Sequence, residues 1–280
     1  MNNSDRIIAS YSRNAVEYAG VNNTESCWGA LSRDLWPNLR INLNHRLVVD
    51  VGCGPGTTLL YLAELFKSTT RLIGIEPAEN MRALCSKLTV HCPNIMVSGG
   101  RFESLPLEDS SVDYLYSILA FHWVTNAELA VREISRVLSA DASGDIFFVG
   151  RWNGREFIHK TTPIFFKYMG AAQLFASARL RQQFTASAAM DLFKNALPGK
   201  TIHIQEIYRT YYDTLAGHWR WWVRIAGQLD CLSQAERSGC EKEIRDALQE
   251  LEGPSGIPFT THVLHAKITT QRPQGESVAM

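Results

Sequence analysis

Residues Leu47 to Gly56 read L-V-V-D-V-G-C-G-P-G. An apolar run of the kind that forms a buried strand ends in an acid, Asp50, and three glycines follow at alternate positions, Gly52, Gly54 and Gly56. A second apolar run, Leu72-Ile73-Gly74-Ile75, ends in Glu76. Strand, glycine turn, helix, strand, acid is the layout of a βαβ nucleotide site. The glycine spacing narrows the ligand. A dinucleotide fingerprint needs G-x-G-x-x-G, so that the turn opens onto a helix N-terminus holding a pyrophosphate. Here the spacing is G-x-G-x-G, with Pro55 between the last two glycines. Such a turn lets backbone approach a ligand closely without being laid out for a diphosphate.

Further motifs follow in order. Glu103-Ser104-Leu105-Pro106-Leu107-Glu108-Asp109 precedes Ser110-Ser111-Val112-Asp113. Arg132-Glu133-Ile134-Ser135-Arg136-Val137-Leu138 then precedes Gly144-Asp145-Ile146-Phe147-Phe148. Together with the glycine turn, these stretches resemble the motifs of the class I S-adenosylmethionine (SAM) methyltransferases over roughly residues 45–150. The resemblance implies SAM as cofactor and S-adenosylhomocysteine as product. It implies a Rossmann-like α/β sheet, mostly parallel with its last strand antiparallel. It also implies roles. Asp50, Gly52, Cys53, Gly54 and Gly56 form the cofactor loop. Glu76 accepts hydrogen bonds from the two ribose hydroxyls, a task suited to a carboxylate. Pro77 and Met81 flank the adenine. The family often has an acid where this chain has Arg101, and a guanidinium offers no acceptor lone pair. Adenine recognition is therefore expected from backbone groups at Arg101 and Phe102.

Ser117-Ile118-Leu119-Ala120-Phe121-His122-Trp123-Val124 resembles the segment where the family places substrate and the methionine part of the cofactor, so Ser117 is a further cofactor candidate. Its H-W-V ending is similar to a branch containing trans-aconitate and malonyl-ACP O-methyltransferases. His122 could be a base or a substrate hydrogen-bond donor, or a packed residue beneath the site; Trp123 suits a pocket wall. Tyr11 and Tyr18 fall on nearly one helical face, and in related methyltransferases such N-terminal helices fold over the site as a lid. Tyr211 and Trp219, in an aromatic stretch flanked by arginines, are either substrate residues or a packing seam.

The expected organisation is an N-terminal helical lid (1–45), a SAM-binding core (46–150), a helical cap insertion (151–198), completion of the sheet (199–270) and a disordered tail (271–280). Strands are predicted at about 46–51, 71–75, 94–98, 112–118 and 145–150, then Ile202–Tyr212 and Thr261–Ile268. Core helices are predicted at about 57–67, 78–88 and 126–138, and later ones at 214–230 and 233–252. The last opens on a capping-box pattern, Ser233-x-x-Glu236.

Composition sets the outer limits. The 280 residues hold 28 basic and 28 acidic side chains, which argues against a general nucleic-acid binder. No apolar run approaches the ~20 residues that span a bilayer, so no membrane partner is expected and the cytoplasm is the default location. The six cysteines show no zinc-like spacing, so no metal is expected and all six read as free thiols. The leading expectation is a methyltransferase acting on a small molecule, as in natural-product biosynthesis, in a monomer or homodimer. One alternative acts on an acid bound to an acyl carrier protein, with basic residues at 151, 155, 160, 167, 179 and 181 as a docking rim. Another is a SAM-binding cyclase or regulator on the same scaffold.

Overall fold

The computed structural model describes residues 3–66, 70–179, 181–222, 229 and 231–270. The chain opens on four short helices, α1 (Asn3–Arg13), α2 (Ala15–Ala19), α3 (Val21–Thr24) and α4 (Cys27–Leu35), and a single 3-10 turn, Trp36–Asn38. The alternation follows: β1 (Leu47–Val51), α5 (Thr57–Phe66), β2 (Arg71–Ile75), α6 (Glu79–Leu88), β3 (Ile95–Ser98), β4 (Val112–Ile118), α7 (Ala127–Val137) and β5 (Leu138–Val149). Then come α8 (Arg155–Ala178), α9 (Ala186–Ala196), β6 (Lys200–Asp213), α10 (Leu215–Trp222), α11 (Gln234–Gln249) and β7 (Ile257–Thr270).

Among the described residues the strands form one seven-stranded sheet in the order β3-β2-β1-β4-β5-β7-β6. The first five are mutually parallel, and β7 runs antiparallel between β5 and β6. This is the mostly parallel sheet the sequence predicts. β1 and β2 are buried almost throughout, as continuous apolar runs in a sheet covered on both faces should be. Val49, Val51, Ile73 and Leu115 pack on one face with α7 and α9; Val48, Leu72 and Tyr114 pack on the other with α5 and α6. The strand order reverses direction between β1 and β4, the switch point where open α/β sheets leave a crevice.

Two stretches differ from the sequence expectation. Residues 151–198 do not form one cap. α8, kinked at Gly170 (φ +73°), contributes Phe157 and Phe165 to a separate apolar cluster with Trp221, Ile244, Leu248 and Phe259. α9 instead buries Ala189 and Phe193 in the main core. β5 also starts seven residues early, because Leu138 already pairs with Val112. The capping box at α11 is present: the Ser233 side chain accepts from the Glu236 backbone, and Glu236 accepts from the Ser233 backbone. The expected helix at 214–230 is seen to Trp222; positions 223–228 and 230, and the tail from 271, lie outside the described residues.

The motif in α7 has a positioning task. Glu133 accepts from the Leu105 backbone N–H at 3.0 Å, and Arg136 binds Glu133, Asp109 and the carbonyls of Leu105 and Leu107 at 2.7–3.0 Å. These bonds hold the loop after β3 in one shape. On the other face of the sheet, Asp145 accepts from Tyr114, from the Arg40 guanidinium at 3.0 Å and from His265 Nε2 at 2.7 Å. Asp145 and His265 are fully buried. Burial would raise the Asp145 carboxyl, but bonds from His265, Arg40 and Tyr114 outweigh it and hold the group below its usual range. Burial lowers the His265 pKa, and the bond to Asp145 opposes the fall. The cluster ties the segment after α4 to three strands.

Candidate active site

A cavity open on one side lies at the carboxyl ends of β1, β2 and β4. Its floor is the glycine turn. The Gly52 and Cys53 backbone N–H groups both donate to the Ile75 carbonyl, at 2.8 and 3.2 Å, which pulls the turn onto the end of β2. Gly52 has φ +78°, and a Cβ there would lie 2.3 Å from Ala120 Cβ. Gly54 has φ +56° with nothing within 4 Å of a would-be Cβ, so its bare backbone faces the cavity. Both positions need glycine because the left-handed region is costly for other residues.

Glu76 closes this floor. Its Oε2 accepts from Gly54 N–H at 3.0 Å and its Oε1 from Ala78 N–H at 2.9 Å. Burial raises the carboxyl's pKa, and the two backbone bonds and Arg82 oppose that rise. Each oxygen keeps lone-pair capacity for a diol. Pro77, Met81, Arg101 and Phe102 line the adjoining wall. Arg101 is half-exposed and lies 4.0 Å from Asp5 of α1.

Other predicted loop residues sit behind the wall. Cys53 faces α6, its Sγ 4.0 Å from Cys85 Sγ, and a Cβ on Gly56 would meet the same Cys85 sulfur. Asp50 is buried beneath the turn; burial pushes its carboxyl up to about 8, with Tyr116 opposing and Glu76 adding to the rise. Ser117 is fully buried with its hydroxyl unpartnered, and Ile118 takes the cavity face instead. Strand alternation explains the exchange, since neighbouring side chains point to opposite faces.

The far wall comes from the lid side. Ile7, Ile8, Tyr11 and Tyr18 line the cavity, and Ile8, Tyr11 and Tyr18 pack with Ala78 and Met81. Tyr11 meets Tyr18 edge-on at 5.5 Å and Trp123 at 6.2 Å. Asn80 anchors α1, donating Nδ2 to the Ser12 carbonyl and its backbone N–H to Ser12 Oγ, both at 3.1 Å. Ile118, Leu119, Ala120, Trp123 and Val124 complete the cavity. Leu119 has φ +59°, a conformation costing about 1–3 kcal/mol in a non-glycine residue. That turn folds the chain back so that Ala120 seats on Gly52.

His122 is not on the wall. It is 4% exposed. Its Nδ1 lies 3.4 Å from the Val149 backbone N–H, and its carbonyl accepts from Gln182 N–H at 3.0 Å. Burial, and to a lesser degree Arg181, pull its pKa well down. A neutral, packed imidazole facing away from the cavity has no reach to an acceptor there, so the expectation of a catalytic or substrate-binding His122 is corrected. Tyr211 and Trp219 are corrected likewise. Tyr211 donates to Asp34 at 2.7 Å, and Trp219 packs in the α8–α11 cluster under Arg245, 4.0 Å over its ring. Nor, among the described residues, does any of 151–198 line the cavity. Ile7, Ile8 and Leu119 were missed by sequence reasoning; the apolar stripe of α1 is the signal that could have found the first two.

Comparison with known proteins bears on this domain. Residues 49–143 match the family described as "Methyltransferase domain". A malonyl-[acyl-carrier protein] O-methyltransferase of Methylococcus capsulatus is 31% identical over 137 residues, 46% of this chain and 46% of that protein. A demethylmenaquinone methyltransferase of Staphylococcus aureus is 32% identical over 90 residues, 32% of this chain and 37% of that protein. The chain spans 26% to 61% of the length of the first curated relatives it matches. Among solved structures, Haemonchus contortus phosphoethanolamine N-methyltransferase 2, in complex with S-adenosyl-L-methionine, superposes with a TM-score of 0.61 at 14% identity, over 97% of this chain and 60% of that one. The loop that bears Gly52, the acid at Glu76 and the clamp of Glu133 and Arg136 all fall within the matched segment. Residues 49–143 of this chain match a methyltransferase domain, and the seven-stranded sheet that carries them has the Rossmann-like fold of methyltransferases of solved structure.

Proposed function

We propose that the protein is a SAM-dependent methyltransferase acting on a small molecule. The observation that carries this reading is the junction of Gly54 and Glu76. A bare glycine backbone and a buried carboxylate, locked together at 3.0 Å, face one cavity. A nucleoside with an amino-acid tail fits this donor set: the carboxylate for a ribose diol, Pro77, Met81 and Phe102 for a flat base, the glycine turn for close approach. The cofactor supplies a methyl group on a sulfonium, already activated for in-line displacement. What remains for the chain is positioning and exclusion of water. α1 covers the cavity and the Leu119–Ala120 turn fixes its floor. Tyr11 does not serve as a base near neutrality, because burial raises its hydroxyl far above its usual range, with Tyr18 adding to the rise. Its hydroxyl oxygen accepts from the Trp123 indole N–H.

Glu76→Ala is expected to weaken SAM binding by about 1.5–3 kcal/mol, the range for hydrogen bonds to a charged group. Isothermal titration calorimetry reads this directly, and unchanged affinity removes Glu76 from the site.

A second reading, methylation of a carrier-bound acid, is favoured by the malonyl-[acyl-carrier protein] methyltransferase among the relatives. Its expected basic rim is partly neutralised here: Lys160 pairs with Glu250 at 2.7 Å and Lys167 with Glu243 at 2.6 Å.

A further inference from the structure

The cavity lining joins the glycine turn and Glu76 to an apolar wall of Ile7, Ile8, Tyr11, Tyr18, Leu119 and Trp123, of which Ile8, Tyr11 and Tyr18 pack on Met81. Among the described residues, the charged side chains on the whole lining are Glu76, Glu103 and Arg101. Arg101 is the one cation among these three. Glu103 Oε1 is engaged by the Thr125 and Asn126 backbone N–H groups at 2.7 and 3.3 Å and by the Thr125 hydroxyl at 3.0 Å. Arg101 belongs to the wall of Phe102 and faces Asp5. Two carboxylates against one guanidinium leave the lining without an excess of positive charge.

We infer that the methyl acceptor is a compact apolar molecule, aromatic or alicyclic, with no fixed anionic group, held between the α1 lid and Trp123. This rests on the methyltransferase reading and names the substrate class of the same cavity. The argument is one of desolvation. Moving an ionised carboxylate into an apolar chamber costs far more than moving a hydroxyl or amine, unless a cation or several donors meet it. Among the described residues, the uncharged polar side chains on the lining are the Tyr11 and Tyr18 hydroxyls and the Trp123 indole, and the indole is bonded to Tyr11. The lining does offer ring faces: Tyr11, Tyr18 and Trp123 meet edge-on, an arrangement that takes a further ring by edge or face. Apolar walls with a few placed polar groups are the usual make-up of a small-molecule site. A short dicarboxylate such as a malonyl group has little apolar surface to bury here and two charges to desolvate.

The test is calorimetry on the full chain saturated with S-adenosylhomocysteine, using 2-naphthol and malonate as probes. The expected result is that 2-naphthol binds at least ~10-fold more tightly than malonate, about 1.4 kcal/mol. Trp123→Ala and Ile8→Asp, each checked for retained S-adenosylhomocysteine binding, should each weaken 2-naphthol by a similar factor. Malonate binding as tightly as 2-naphthol or more so overturns the inference while leaving the methyltransferase reading intact. So does 2-naphthol binding that neither variant alters. A wild type that fails to bind S-adenosylhomocysteine takes down the functional reading, and this inference with it.

Discussion

Gly52→Val is expected to leave a folded protein that has lost SAM binding by on the order of 100-fold or more, equivalent to about 2.8 kcal/mol. Two effects combine. At φ +78° a β-branched residue is strained in any environment. Its Cβ would also lie 2.3 Å from Ala120 Cβ, far inside contact distance. Either the glycine turn shifts or the Leu119–Ala120 turn does, and both form cavity floor. The two Gly52–Cys53 bonds to the Ile75 carbonyl would be the first to break, releasing the turn from Glu76. Circular dichroism establishes folding and calorimetry measures affinity. A folded variant binding SAM normally would mean that the turn is not where the cofactor sits.

Asp145→Ala is expected to cost about 3–5 kcal/mol of stability, the range for removing one partner of a buried charge cluster. The loss leaves the Arg40 guanidinium, the Tyr114 hydroxyl and His265 Nε2 without their common acceptor. The same cluster gives a pH dependence of definite sign. The folded-state pKa of Asp145 is depressed, so its contribution is fully present above the unfolded value of about 3.9. It is lost as pH falls through the folded value, and stability should drop in that acid window. Urea melts of wild type and variant between pH 3 and 7 check both statements. A variant within 1 kcal/mol of wild type at pH 7, or a wild type equally stable at pH 3, would show that the cluster does not hold the sheet as described.

The sheet was legible because its strands carry the signal themselves. β1 and β2 are short continuous apolar runs ending in an acid, and burial on both faces permits little else. The partnership of Gly54 and Glu76 was legible for the same reason: parallel pairing puts the ends of β1 and β2 side by side. The end of β4 was read less well. His122 and Trp123 lie in one 3-10 turn, Phe121–Trp123. Successive side chains there diverge by about 120°, so Trp123 reaches the cavity and His122 the core. Nothing in the residue types selects which. Leu119 at φ +59° is a conformation that only the surrounding packing enforces, and a leucine gives no sign of it. Residues 151–198 have apolar stripes suited to covering any surface. Whether they roof a cavity or pack beside β7 depends on contacts distant in sequence, such as Phe157 and Phe165 against Ile244 and Leu248. The aromatics around Tyr211 and Trp219 were drawn to that same cluster.

The most direct test of the central claim is equilibrium binding of S-adenosylhomocysteine and of NAD to the purified chain. The glycine spacing, the Glu76 carboxylate and the apolar wall of the cavity predict one S-adenosylhomocysteine per chain and no measurable NAD binding. NAD bound in preference to S-adenosylhomocysteine, or neither bound by a folded chain, would contradict the account.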